Sequence, residues 1–155
     1  LFRGLFSKER QRGQSLVEMT VGTLVLAVII SGLLDLGRLY YVYVALEDGA
    51  GEGALYMAID PECWTTADGA DCADPNNGLY RVANAGSGQV DWSSAVVTFS
   101  YNDLVAPTGE VSLGDTVIVT IQYDFPLITP LIPEIAGVNP IPLTVSASQT
   151  VIREP

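Results

Sequence analysis

Nineteen consecutive residues, Leu16 to Leu34 ("LVEMTVGTLVLAVIISGLL"), carry a single charge, Glu18. Nothing else in the sequence constrains the chain as much. As a helix at roughly 1.5 Å per residue, this run is about 28 Å long, close to the hydrocarbon thickness of a bilayer. A carboxylate among lipid tails costs roughly 3 kcal/mol on insertion scales, so Glu18 calls for a partner. The plainer alternative is that it snorkels to the nearer interface. A secretory signal peptide is a second reading of such a run, but the run is long and no small-residue cleavage site ends it cleanly.

Charge gives the run a direction. Of the net charge of -11, residues 1–13 contribute +3, from Arg3, Lys8, Arg10 and Arg12 against Glu9, and the remainder contributes -14. Basic residues flanking a span stay on the cytoplasmic side, so the acidic part is expected outside. So acidic a surface argues against nucleic-acid binding, which needs clustered Lys and Arg. Catalysis finds no support, because there is no histidine, no G-x-S-x-G, no phosphate-cradling glycine loop and no helical metal-ligand pair. The carboxylates read as a solvated face rather than as an acid–base pair.

Helical spacing continues beyond the apolar run. Leu36, Leu39, Tyr40, Tyr43, Leu46, Ala50, Ala54, Met57 and Ala58 recur at steps of three and four, and Pro61 ends the pattern. One helix from about residue 15 to 59 is expected, bounded by Gln14 and Asp60. Asp35 and Arg38, three apart, can pair on one face at the membrane boundary. Gly22, Gly32 and Gly37 each cost about 1 kcal/mol in a helix but permit close helix–helix approach. Gly22 and Gly32 are the places for the helix to yield. Gly49, Ala50, Gly51, Gly53 and Ala54 serve either the same purpose or packing on the chain's own sheet.

Cys63 and Cys72 flank "WTTADGAD" and, outside the cytoplasm, are expected to form a disulfide across a short polar loop. Zinc ligation is the alternative, but without histidine it would need carboxylates to complete the site. Asp68, Asp71, Asp74 and Asn76 offer oxygen donors for calcium, although their spacing departs from the EF-hand and a hydrated turn is the simpler reading. "LYRVANAG" reads as a weak helix or a short strand. Three later runs alternate with period two: Ala95, Val97, Phe99 and Tyr101; Val117, Val119, Ile121, Tyr123 and Phe125; Leu143, Val145, Ala147 and Val151. The five-residue apolar face of the middle run places it at the centre of an antiparallel sheet, covered by the upper half of the long helix. "PLITPLIPEIAGVNPIP", before the last run, is too rich in proline for a central strand and reads as a loop. The fold class is α+β. The boundaries are a basic segment 1–13, a long hydrophobic helix 14–60, and an extracytoplasmic β-rich domain 61–155.

The start "RGQSLVE", the "DLGR" turn past the apolar run and the small-residue "AGEGALY" tail resemble the N-terminal segment of TadE-like proteins. These are pilin-like proteins of tight-adherence pilus systems within the type IV filament superfamily. "VIVTIQYDFPLITPL" and "SASQTVIRE" look like the family's late strands, which leaves roughly residues 60–110 without a recognisable counterpart. The resemblance implies a prepilin-type cut between Gly13 and Gln14, with Glu18 fifth in the mature chain and facing the new terminal amine of a neighbouring subunit. Were residues 1–13 retained, Arg10 or Arg12 would replace that amine. The resemblance further implies a structural, non-enzymatic subunit without cofactors, its helix anchored in the bacterial inner membrane before assembly. Afterwards the helix would pack in the core of an extracellular, adhesive, type IV-like pilus. Glu18, Gly22, Gly32, Asp35, Gly37 and Arg38 would then lie at subunit contacts. The expected partners are copies of the chain, other pilins, the inner membrane and the pilus assembly machinery. A single-pass anchored extracytoplasmic binding module that does not polymerise is the alternative.

Overall fold

The structure, a computed structural model, describes residues 7–85, 88, 90–102, 104–105, 111–129, 133–134, 137 and 139–153; of 7–12 and 104–105 only the backbone is described. Contacts divide the chain into two units. The first comprises the helix up to Gly37 with Leu127–Val138, and the second Arg38–Pro126 with Asn139–Pro155.

Helix α1 runs unbroken over Ser7–Ile59. It starts about two turns earlier than the sequence pattern suggested, because "KERQR" consists of good helix formers that continue a helix without any apolar face. Gly22 and Gly32, read as places to yield, remain helical. Burial divides the helix lengthwise. Residues 13–34 are almost wholly exposed, whereas Val42, Ala45, Leu46, Ala50, Ala54, Met57 and Ala58 are buried at helical spacing. Leu36 and Tyr40, read as part of that face, are exposed. The buried stripe begins only at Val42, and among the described residues nothing covers the helix at 36 and 40.

The sheet has the order β2-β1-β3-β4, built from β1 (Val96–Tyr101), a two-residue β2 (Leu104–Val105), β3 (Thr116–Phe125) and β4 (Ile141–Thr150). All pairs are antiparallel, with Tyr101 opposite Val117, and Phe125 opposite Ile141. The central place expected for the middle run is where β3 lies. Its Val117, Val119, Ile121, Tyr123 and Phe125 are buried on one face, as strict alternation requires of a half-covered strand. "LYRVANAG" resolves as a helix, α2 (Gly78–Ala85), because Asn77 precedes it as a cap. Asn77 Oδ1 accepts the Tyr80 N–H at 2.7 Å, satisfying one of the free donors of a helix start.

Close approach of α1 to its neighbours rests on two glycines. A Cβ at Gly49 would lie 2.9 Å from the Val82 carbonyl oxygen, and one at Gly53 would collide with a Val82 methyl beside Val119. At Gly51 the same atom would meet nothing within 4 Å. Cys63 and Cys72 are disulfide-bonded, which by loop closure stabilises the fold by on the order of 2–3 kcal/mol. Around the bridge, the Pro61 carbonyl accepts both Trp64 Nε1–H at 2.6 Å and the Tyr101 hydroxyl at 3.0 Å.

Two predictions follow from this packing. Gly51→Ala should stabilise the chain by up to ~1 kcal/mol through helix propensity, whereas Gly53→Ala should lower its stability because the β-branched Val82 cannot swing away. Urea denaturation in detergent measures both. Burial, with a smaller contribution from the Asp60 charge, pushes the Tyr101 hydroxyl up to about 12. With the folded value above the unfolded one of about 10, the Tyr101 contribution is complete below that pH and is lost as pH rises through about 12. Tyr101→Phe should therefore cost about 1 kcal/mol at neutral pH and weaken the fall in stability at alkaline pH.

Candidate functional site

The apolar stretch of α1 is the part of the molecule whose chemistry is least complete. Between Leu16 and Leu34, eleven large apolar side chains are exposed, with Met19 at 72%. At roughly 1.5–3 kcal/mol for each such side chain taken out of water, covering this surface is worth on the order of 20 kcal/mol. That exceeds the whole stability of a typical domain, so bilayer or protein must cover it. From Gly13 on, α1 is long and apolar enough to cross a membrane.

Its few polar side chains are turned inward along the helix. Thr20 Oγ1 donates to the Leu16 carbonyl, Thr23 Oγ1 to Met19 and Ser31 Oγ to Ala27, each at 2.8 Å. Such i−4 bonds satisfy hydroxyls that a lipid or helix surface cannot. The exposed carboxylate of Glu18 is thus the one charge on this surface. Gly13 and Gln14 are exposed within the helix, and a Cβ at Gly13, Gly22 or Gly37 would meet nothing within 4 Å. Gly32 is half-buried. In the basic head, Lys8, Arg10 and Arg12 lie on helical backbone, and Arg3 lies outside the described residues.

Asp35, just past the apolar stretch, is buried. Its Oδ1 accepts the Ile128 N–H at 3.3 Å and its Oδ2 the Thr129 N–H at 2.9 Å. Arg38, one turn on, places its Cζ 5.2 Å from the centre of the Phe125 ring, a cation–π distance. The sequence shows both residues but not these partners, because separations of 87 to 94 positions leave no local signal.

Of the four candidate calcium donors, Asp68 and Asp74 accept hydrogen bonds within the loop. Asp68 Oδ2 accepts N–H from Trp64 at 3.0 Å and Thr65 at 2.6 Å, closing a turn. Asp74 Oδ1 accepts the Asn77 Nδ2–H at 2.7 Å. Asp71 and Asn76 are exposed. Among the described residues no group of three or more ligands is placed to hold a metal. Sequence reasoning missed Asn77, which is buried and also donates to the Cys72 carbonyl at 3.1 Å. Its place just ahead of an apolar helical spacing was the available signal.

Residues 13–55 match the family model of TadE-like protein, so the resemblance seen in "RGQSLVE" and "DLGR" is shown over the helix. That family is a structural, non-enzymatic one. No curated protein and no solved structure matches the chain. The family match and the apolar helix together fit a pilin-like subunit.

Proposed function

We propose that the chain is a structural subunit that polymerises through α1 into a type IV-like, tight-adherence pilus serving adhesion. Before assembly, α1 anchors the subunit in the inner membrane with the disulfide-bonded β domain outside. During assembly, the machinery transfers the apolar stretch from lipid to neighbouring copies or other pilins. The observation that carries this reading is an exposed helical surface, apolar from Leu16 to Leu34 except for Glu18. Lipid alone would be satisfied by a stretch without that charge. In the filament, Glu18 meets a cation of the adjacent subunit, either the amine freed by a cut between Gly13 and Gln14 or a basic residue of a retained head. Gly22, Gly32 and Gly37 allow helices to approach closely.

Glu18→Ala should leave the β domain folded and membrane insertion intact. Filament yield in sheared material should fall at least tenfold, since the neighbour's cation is buried without its counter-charge at a cost of about 3–5 kcal/mol. Glu18→Gln should do similar harm despite its near-identical shape. Normal filaments from both variants would contradict the pairing. A chain that stays wholly with membranes on shearing would instead be a resident single-pass anchor.

A further inference from the structure

The Asp35 carboxylate stands one residue beyond Leu34, yet only 4% of the residue is exposed. Main-chain donors reach both of its oxygens. Both oxygens receive N–H groups, from Ile128 and Thr129, and Thr129 Oγ1 donates to the Ser31 carbonyl at 3.3 Å, one turn back along the helix. Three bonds thus fasten two consecutive residues across the outer end of the apolar stretch. Those residues lie just after β3, 93 and 94 positions from Asp35, so the clasp can close only once the chain beyond β3 has been brought to the helix.

We infer that Asp35 is a positioning residue that couples completion of the fold to assembly. In the closed clasp the carboxylate is buried and accepts two charge-assisted bonds from the main chain. The helix surface from Gly13 to Leu34 then offers Glu18 as its single charge. In the open state Asp35 loses both main-chain donors and is exposed at the edge of the surface that must pack. A charge there is costly against lipid or a neighbouring helix. A finished subunit therefore brings one carboxylate to the packing step and an unfinished one brings two. The consequence for assembly rests on the filament reading above, whereas the clasp itself does not.

The test opens the clasp while keeping the charge. Thr129→Pro removes one N–H donor and the hydroxyl; Thr129 precedes Pro130, so its backbone is already biased toward the extended region that proline accepts. In the full chain in detergent, the Ile128 amide should exchange at least tenfold faster, with β3 amides unchanged. In cells, filament yield in sheared material should drop at least tenfold. Adding Asp35→Asn to Thr129→Pro should restore yield to within twofold, because the open clasp then exposes no charge. A purely structural clasp gives no such rescue. Should Thr129→Pro unprotect β3, Ile128→Pro removes the other donor, and the clasp is then read at the Thr129 amide, which should exchange at least tenfold faster. Unchanged exchange at Ile128 overturns the clasp. Normal filaments from Thr129→Pro, or no rescue by Asp35→Asn, overturn the coupling. A parent chain that forms no filaments removes the filament reading and the coupling with it, while the exchange result still decides the clasp.

Discussion

The desolvation demand of Leu16–Leu34 governs what the rest of the molecule has to do. Eleven exposed large apolar side chains on one helix cannot be left to water, and the sheet lies against residues far beyond them. The hydroxyls of Thr20, Thr23 and Ser31 are tied to carbonyls of their own helix, which removes the polar contacts that would favour solvent. Glu18 remains as the exception, and an exception in such a place is better explained by a specific partner than by lipid.

Beyond Val42 the same helix obeys a different rule. Its buried stripe alternates Val, Ala, Leu, Gly and Met against α2 and the sheet, with Gly49 and Gly53 allowing Val82 to come close. The glycines of α1 therefore divide by use. Gly49 and Gly53 are spent on the chain's own core, whereas Gly22, Gly37 and Gly51 face open space. Asp35 and Arg38 stand where one regime gives way to the other, each engaged by residues that follow or end β3.

What the sequence made legible was what depends on local pattern. The apolar run, the period-two faces, the central place of β3 and the Cys63–Cys72 bond all follow from spacing within about twenty residues. Features set by distant chain were not legible. The partners of Asp35 lie more than ninety positions away, and the register that leaves Leu36 and Tyr40 uncovered depends on where β3 and α2 reach the helix. The early start at Ser7 escaped for another reason, since "KERQR" has helix propensity but no apolar period to reveal it. Among the acidic residues, the hydrogen bonds that Asp68 and Asp74 accept in the loop depend on backbone geometry that composition does not carry.

Cryo-microscopy of appendages sheared from cells tests the central claim most directly. The account predicts filaments containing this chain, with Leu16–Leu34 at the core, surrounded by the same stretch of neighbouring subunits, and the Glu18 carboxylate within hydrogen-bonding distance of a neighbour's cation. Filaments in which this stretch is absent or faces solvent, or in which Glu18 faces only apolar side chains, would contradict it.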